Sequence, residues 1–445
     1  MDSQRLVQKF LTSQVSEKSL QIAKAALFDY LTVSLAAQSL ETEQLKTAYK
    51  EQLEGTSLLI GEKGLATKAF SALHNGFRAH LLDLDDTHSS VRGHPSAVLF
   101  SALLTELPYH SGKAFLASYV IGLEIMARLG MAVNPDHYLQ GWHNTSTLGG
   151  LAAAGALAYL KQMTVDQTLH SMSIAASQAA GLQMQFGTPI KPLHAGLAAK
   201  QAVEAVAMAQ AGLAAEKDFL FADRGFRAVY APKLNVAPLL EDWGKSWQVN
   251  QPGLWVKSYP FCSAAMSGAD AAEYLHQKEG LREDEIAGVE VLFFKGRDQA
   301  LKNRQPKTGE EGRFSIEYIV WLGLTGQEYS LDAFSSKALS SALRRQLLKV
   351  QRTYQEGSSD EPFVTVTVNL TDGRKLSQQV TYPKGSPRNP LTEKERRKKF
   401  TTYVRGPWAK PLEEKIKRME QEEGDSLFSF LQTINGGKTD GRTCD

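Results

Sequence analysis

The sequence predicts a mainly α-helical protein in which a smaller α+β unit is inserted between helical segments. From residue 1 to about 250 the apolar residues recur at intervals of three and four, the spacing of amphipathic helices. After this point β-branched residues alternate with polar ones, and a helical pattern returns from Leu391 to about Gln432. The smaller unit is therefore expected to interrupt the helical part of the chain.

Small residues mark the helices that we expect at the centre of the helical part. Residues 149–158, 174–181 and 195–215 are rich in Ala and Gly. Because small side chains let helix backbones approach closely, these segments are predicted to pack against one another in the core. The helical domain is assigned to residues 1–253 and 388–445.

Residues 254–387 form the predicted α+β unit. Val289–Phe294 and Phe363–Leu370 have strand-like alternation, and the second run leads into an Asp372-Gly373 turn typical of a hairpin. Helical patterns cover Ser315–Leu324 and Leu331–Leu348. The unit thus combines strands and helices.

Composition excludes several classes of function. The chain has 445 residues with 50 basic and 48 acidic side chains, so charge gives no reason to expect nucleic acid or a membrane as partner. Two cysteines exclude a disulfide framework and a four-cysteine zinc site, and neither a phosphate-loop nor a dinucleotide-binding fingerprint is present. No signal segment opens the chain, and its most lipid-like stretch, 149–160, is too short to span a bilayer. We expect a cytoplasmic protein.

The most chemically dense segment is 80–95, which contains three carboxylates, three imidazoles, three hydroxyls and a guanidinium. If the run before it is helical, Asp83 and Thr87 share one face and Asp85 points away. Pro95 is a favoured first helical residue, so His94 stands at a helix entrance. The positive end of a helix dipole disfavours imidazolium, which suits a proton-accepting histidine.

Three further helix entrances carry basic residues: His143, Lys191 with His194 three positions later, and Lys257 before Pro260. Free backbone N–H groups and positive dipole ends, converging with Lys and His, would bind carboxylates. The implied ligand is a small polyanion.

A metal-binding site is the main alternative interpretation of residues 80–95, because carboxylates and imidazoles also bind divalent cations. The candidate ligands lack a specific spacing, and nearby lysines would repel a cation. For Asp85 and His88 loop hydrogen bonding or solvent exposure is the preferred interpretation. The five candidate ligands are Asp83, Asp85, Asp86, His88 and His94.

Taken together and in order, these motifs resemble the MmgE/PrpD family, over nearly the whole chain. The pieces that carry the resemblance are Asp83, Asp86, Thr87 and His88 with His94, Pro95 and Ser96; Gly141, His143 and Thr145; Gly187, Thr188, Lys191 and His194; Gly225 and Phe226; Lys257, Tyr259 and Pro260; Phe314, Ser315 and Tyr318; and Asn389, Pro390 and Thr392.

The resemblance implies a helical domain from both chain ends, an inserted α+β lid, and a homodimer without a cofactor or metal. It implies an active site of seven residues: Asp83, Thr87, His94, His143, Lys191, Lys257 and Tyr318. Two departures are visible. The spacer between Asp83 and His94 is one residue longer than in the family's decarboxylase, and Met266 stands where many members have histidine.

The implied chemistry is proton transfer at a carbon beside a carboxylate. His94 would move the proton and Asp83 and Thr87 would orient it, while Lys191, Lys257 and His143, with His194 beside them, would bind carboxylates. Tyr318 would bind substrate or donate a proton.

We expect a lyase of the 2-methylcitrate dehydratase type acting on a small di- or tricarboxylic acid. An epimerase, isomerase or decarboxylase of a related dicarboxylate or substituted amino acid is the alternative. A non-catalytic carboxylate-binding protein and a metal hydrolase are alternatives from other classes.

Overall fold

The structure, a computed structural model, describes residues 3–37, 40–357 and 363–436. The chain divides into two compact units. The helical unit contains Met1–Leu81, Asp85–Leu254 and Glu393–Asp445, and the α+β unit contains Leu82–Leu84 and Trp255–Thr392. Cys444 and the end of the chain after residue 436 lie outside the described residues.

The first part of the helical unit is a series of helices with three two-residue strands. In chain order its elements are α1 (Ser3–Leu11), α2 (Glu17–Ala36), α3 (Leu40–Ala48), β1 (Ser57–Leu58), β2 (Leu65–Ala66), α4 (Lys68–His80), β3 (Thr87–His88), α5 (Pro95–Leu103), α6 (Gly112–Val133), α7 (Asp136–Leu139), α8 (Asn144–Thr147), α9 (Gly149–Leu160), α10 (Val165–Ser177), α11 (Ile190–Gln210), α12 (Phe226–Tyr230) and α13 (Ala237–Leu240). The predicted helical character of this half is confirmed.

Hydroxyl residues fix where the longer helices begin. Ser16, Thr67 and Ser111 accept hydrogen bonds from backbone N–H groups in the first turns of α2, α4 and α6. Thr164 and Gln167 form a reciprocal capping box at the start of α10. Each cap satisfies a backbone donor that the helix itself leaves unpaired.

The Ala-rich and Gly-rich helices form the centre of this unit, as predicted. Helix α11 packs against α4, α9 and α10. Gly76 of α4 faces Gly196 of α11 so closely that a Cβ on Gly76 would lie 2.7 Å from the Gly196 Cα. Glycine at both positions therefore allows the two backbones to touch.

One described helix, α6, has the length and apolar character needed to cross a membrane, and 89% of its most apolar window is buried inside the structure. Core helices of soluble proteins pass the same test. The sequence-based choice, residues 149–160, forms helix α9, whose 12 residues are too few to span a bilayer, as expected.

The α+β unit is built on a four-stranded sheet. Its elements are β4 (Leu254–Trp255, which begins at the unit boundary), α14 (Met266–Glu279), β5 (Ile286–Phe294), α15 (Gly309–Gly312), α16 (Ile316–Leu324), α17 (Ser341–Leu347), β6 (Val350–Gln355), β7 (Val364–Leu370) and β8 (Lys375–Val380). The sheet order is β6-β5-β7-β8, with β5 and β6 parallel and the other pairs antiparallel.

The predicted hairpin is confirmed, since β7 and β8 pair from Val364 with Val380 to Asn369 with Lys375. The helix predicted over Leu331–Leu348 is wrong for most of its length, because only Ser341–Leu347 is helical and Ser340 caps it. Strand β6 was not predicted, since its residues after Val350 are polar and partly exposed.

The chain returns to the helical unit with α18 (Glu393–Tyr403), α19 (Ala409–Arg418) and α20 (Gly424–Gly436). Helices α18 and α19 pack against α2. A buried ion pair, Lys399 Nζ to Asp29 Oδ1 at 2.6 Å, joins α18 to α2. The mainly helical fold class with an inserted α+β unit is therefore confirmed.

Candidate active site

The contact between α4 and α11 brings three basic side chains together. His80 is the last residue of α4, four positions after Gly76, while Lys191 and His194 precede Gly196 at the start of α11. His143 lies between them, with ring centroids 6.0 Å from His80 and 5.3 Å from His194. His94 completes the group, 4.2 Å from the His80 ring. We call these five residues with Asp85 the histidine cluster.

His94 and His143 both stand directly before helices, as predicted. His94 precedes Pro95 of α5, and its backbone N–H donates to Thr145 Oγ1 at 3.1 Å. His143 precedes α8, and its backbone N–H donates to the Gly181 carbonyl at 3.0 Å. The entrance to α11 differs slightly from the prediction, because Lys191 is its second residue and not the one before it.

Asp85 is the carboxylate at the centre of the cluster. His80 Nδ1 lies 3.0 Å from both of its oxygens, and His94 Nδ1 lies 3.1 Å from Oδ2. Solvent exposure, one of the two interpretations preferred for Asp85, was wrong, since its side chain is buried. Helix α4 ends at His80 and Asp83 has a φ of 52°, so the helical spacing assumed for Asp83 and Thr87 does not apply.

Charge within the cluster is unevenly distributed. Burial raises the pKa of Asp85, but His80 and His94 outweigh this effect and hold it well below its usual value. Burial lowers the pKa of His143 strongly, and Lys191 and the neighbouring imidazoles lower it further. Burial, His80 and Lys191 lower the pKa of His194 to about 4. The cluster thus contains an ionised carboxylate, Asp85, and two histidines, His143 and His194, whose lowered pKa values keep them neutral at pH 7.

His143 and His194 also interact directly. Their Nδ1 atoms are 3.1 Å apart, so one nitrogen donates a proton and the other accepts it. This arrangement requires two neutral rings of opposite tautomer. Lys191 lies close by, with its ammonium 5.6 Å from the centroid of Phe186, whose ring edge packs on His143.

Asp86 and His88 point to other partners. Asp86 accepts hydrogen bonds from the Ser96 hydroxyl and backbone N–H, and the Ser96 hydroxyl also contacts Tyr119. Burial raises the pKa of Asp86 to about 7. His88 Nε2 lies 3.0 Å from the Gln248 carbonyl and is buried, so the expected loop hydrogen bond is found and solvent exposure is not.

Three of the predicted site residues belong to the α+β unit. Lys257 Nζ lies 3.2 Å from Asp83 Oδ2 and donates to the Asp83 carbonyl at 2.7 Å. The Tyr318 hydroxyl donates to the Ala333 carbonyl, and burial together with Asp332 raises its pKa to about 12. Thr87, in β3 of the helical unit, is half-buried.

Sequence reasoning assigned no partner to His80 and no role to Asp85. The two are five residues apart across the end of α4, which no periodic pattern reveals. The sequence did contain one signal, an acidic residue shortly after a helix that ends in histidine. Such a side chain can fold back and contact the histidine.

Within the described part of the helical unit, a cation could be held by His80, Asp85 and His94, whose potential ligand atoms lie within 4.8 Å of one another. Two of the five ligands considered from sequence, Asp86 and His88, instead bind Ser96 and the Gln248 carbonyl. His80 and His94, the two imidazoles of the possible cation site, are already contacted by Asp85, its carboxylate. Asp85 thus serves the histidines themselves.

Comparison with known proteins places the chain in context. Residues 4–238 match the MmgE/PrpD N-terminal domain and residues 259–423 match the MmgE/PrpD C-terminal domain. The cis-aconitate decarboxylase of Mus musculus is 27% identical over 74% of this chain and 70% of its own length. The Homo sapiens protein of that name is 25% identical over 87% of this chain and 83% of its own length.

A cis-aconitate decarboxylase-like protein of Aspergillus oryzae is 26% identical over 87% of this chain and 86% of its own length. These similarities support a lyase and leave the substrate open. The two domain matches span most of the sequence and agree with the predicted resemblance. The chain belongs to the MmgE/PrpD family.

Proposed function

We propose that this protein is a cofactor-independent lyase that acts on a small di- or tricarboxylic acid by proton transfer at a carbon beside a carboxylate. The observation that supports this most directly is the buried histidine cluster, in which ionised Asp85 contacts His80 and His94. Proton transfer needs a group that can both take and release a proton near neutral pH, and imidazole is that group.

Lys191 and the neutral histidines suit the binding of carboxylates. An ammonium supplies a full positive charge, and a neutral imidazole can donate one hydrogen bond without adding charge. As a proton leaves the carbon, negative charge spreads onto the adjacent carboxylate, where Lys191 would stabilise it. Because the site is buried, this interaction is stronger than it would be in water.

Two leaving groups fit this chemistry. In decarboxylation the carbon–carbon bond breaks, carbon dioxide leaves, and the electron pair that stays on carbon accepts a proton. In dehydration a proton leaves carbon and the departing hydroxyl takes up a proton to become water. The names of the three relatives favour decarboxylation, whereas the sequence-based expectation was dehydration. We propose decarboxylation as the first reaction to test and dehydration as the second.

The other predicted site residues enter the proposal with the roles assigned from the resemblance. Lys257, paired with Asp83, would supply a second positive charge for a carboxylate. Thr87 and Tyr318 would position substrate or donate a proton. A lid role for the α+β unit, a homodimer and a cytoplasmic location are also part of the proposal.

The test is a panel of small polycarboxylates incubated with the purified protein in D2O and followed by NMR. We expect loss of one carboxylate or of water from at least one substrate, with one deuterium incorporated beside a remaining carboxylate during decarboxylation. Unchanged rates after treatment with a chelator would agree with the cofactor-independent mechanism. Chelator-sensitive turnover would instead favour a metalloenzyme.

The matched variant is His94→Gln, which keeps the size of the side chain but cannot exchange a proton. General acid–base catalysis typically contributes about a hundredfold or more, so turnover should fall at least that far. His170→Gln serves as control, because His170 is a partly buried histidine outside the histidine cluster whose Nδ1 lies 3.0 Å from backbone atoms of Ala215. Substrate binding without any turnover or exchange in the wild type would favour a non-catalytic binding protein. Inversion without loss of a group would favour an epimerase.

A further inference from the structure

We infer that Asp85 is a positioning residue, which holds the rings of His80 and His94 with Nδ1–H directed at its carboxylate and thereby places the basic lone pair of each ring on Nε2. This inference rests on the proposed proton transfer for its catalytic meaning. Its structural content concerns only the tautomers of two histidines and can be tested without a substrate.

The contacts of Asp85 distinguish it from its neighbour. Asp85 and Asp86 are each 1% exposed, and both follow the same helix. Asp85 meets two imidazoles, with His80 Nδ1 3.0 Å from both oxygens and His94 Nδ1 3.1 Å from Oδ2. Asp86 instead accepts from Ser96. The two carboxylates are equally buried, and what distinguishes Asp85 is its contact with two imidazoles.

A neutral imidazole carries one proton, on either Nδ1 or Nε2. An ionised carboxylate only accepts hydrogen bonds, so a ring that meets it through Nδ1 must carry the proton there. Each ring then presents Nε2 as its acceptor. The His80 contact has the geometry of a hydrogen bond, whereas His94 Nδ1 lies within ion-pair distance of Oδ2, at 3.1 Å, without reaching hydrogen-bond geometry.

Other contacts limit how far the two rings can turn. The His94 backbone is anchored by Thr145 Oγ1 at 3.1 Å, and its ring lies 4.2 Å from that of His80. His80 in turn lies 6.0 Å from His143. The titratable groups of the helical unit that interact with Asp85 include the His80 and His94 imidazoles, Asp86 and, on α2, Asp29. Asp85 is thus the carboxylate of the helical unit that meets both rings.

The first experiment is two-bond 1H–15N NMR of the histidine rings at pH 7.5, with His80 and His94 assigned through His80→Gln and His94→Gln variants. In the wild type we expect both rings to carry the proton on Nδ1 whenever they are neutral. Asp85→Asn removes the negative charge and replaces one carboxylate oxygen with an NH2 group, which only donates hydrogen bonds. His80 Nδ1 lies 3.0 Å from both oxygens, so it meets this NH2 group whichever way the amide is turned, and we expect His80 to convert to the Nε2–H tautomer in this variant.

The second experiment measures kinetics on a substrate found with the panel. Asp85→Asn should lower kcat by about a hundredfold with little change in KM, because acid–base catalysis is lost while the carboxylate-binding groups remain. Asp85→Glu, which retains the carboxylate, should recover part of the rate. Asp86→Asn is the control, and we expect it to leave both histidine tautomers and kcat nearly unchanged.

Failure of the inference and failure of the proposed function can be told apart. Nε2–H tautomers for both neutral rings in the wild type, or unchanged tautomers in Asp85→Asn, would overturn the positioning role even in an active lyase. If Asp85→Asn does not fold, the tautomers of His80 and His94 in the wild type test the positioning role by themselves. Conversely, the expected tautomers in a protein without turnover would leave the positioning role intact and reject the lyase.

Discussion

Lys191 adds positive charge to a group of residues that already contains four imidazoles. Its ammonium contributes to the lowered pKa of His143 and of His194. We predict that Lys191→Met raises KM and lowers kcat/KM by about a hundredfold, because in the proposed mechanism its positive charge binds the substrate carboxylate. The pKa of His194 should also rise from about 4 toward its usual value, which an NMR titration would detect.

Lys200→Met is the matched control for this change. Lys200 lies on the same helix, α11, and pairs with Glu204 at 3.0 Å. Its replacement should leave both KM and the His194 titration unchanged. Equal effects of the two substitutions would mean that Lys191 acts through general charge on the protein and not through its place in the cluster.

Asp86 is predicted to make stability depend on pH. Burial raises its pKa to about 7, whereas an unfolded aspartate titrates near 3.8. The folded state therefore holds a proton that the unfolded state releases between these values, so this residue destabilises the protein progressively as pH rises from about 4 to 7. Asp86→Asn removes the effect. The variant should gain stability relative to wild type by at most about 1.4 kcal/mol per pH unit in this range.

Urea unfolding of both proteins at several pH values measures this difference. Above pH 7 the difference should level off, since both states are then ionised in the wild type. A difference that is constant from pH 4 to 8 would contradict the raised pKa. His74 and His88, whose pKa burial lowers to about 4, act in the opposite direction but are common to both proteins and cancel.

At the scale of elements, the spacing of α4 and α11 determines how the cluster assembles. A Cβ on Gly196 would lie 2.2 Å from the Leu73 carbonyl oxygen, a contact that requires the two backbones to separate. We predict that Gly196→Ala destabilises the protein by about 1–3 kcal/mol. It should also reduce turnover, because His80 on α4 and His194 on α11 would move apart.

Gly150→Ala is the control for this prediction. Gly150 on α9 also faces α11, but a Cβ there would meet its nearest atom, the Ala198 carbonyl oxygen, at 3.6 Å. This is an ordinary contact, and alanine favours a helix more than glycine does. Urea unfolding should therefore show no loss of stability for Gly150→Ala. If both variants lost a comparable amount of stability, the effect of Gly196→Ala would come from the general packing of α11 and not from its close contact with α4.

The sequence predicted elements best where a residue type restricts the backbone. Pro95 identified the start of α5 and the place of His94, and the Asp372-Gly373 turn identified the β7–β8 hairpin. Leu331–Leu348 failed because most of its apparent helical spacing lies in an irregular segment before α17. Asp85 was missed for a related reason. Its partners are set by where α4 ends and by the left-handed conformation of Asp83, neither of which periodicity reports.

At the scale of the whole chain, the helical unit depends on contacts between its two ends. The return of helical periodicity after residue 391 indicated further helices, and the family resemblance implied that they belong with the N-terminal half, but neither indicated which residues join them. That pairing depends on long-range packing. In the structure Lys399 of α18 and Asp29 of α2 are each buried and form an ion pair at 2.6 Å.

We predict that Lys399→Met destabilises the protein by about 3–5 kcal/mol, because it leaves the Asp29 carboxylate buried without its ion-pair partner. Burial already raises the pKa of Asp29 against the effect of Lys399, so the lone carboxylate would be still harder to ionise. Asp29→Asn in the same chain should restore much of the loss, since an amide carries no charge to compensate.

A double-mutant cycle in urea unfolding measures this coupling directly. Lys410→Met, at an exposed position on α19, is the matched control and should change stability by no more than about 0.5 kcal/mol. If the two substitutions at Lys399 and Asp29 were additive, the ion pair would contribute nothing specific to the contact between the chain ends. A strongly non-additive result would instead identify this pair as a point at which the C-terminal segment is secured to the N-terminal helices.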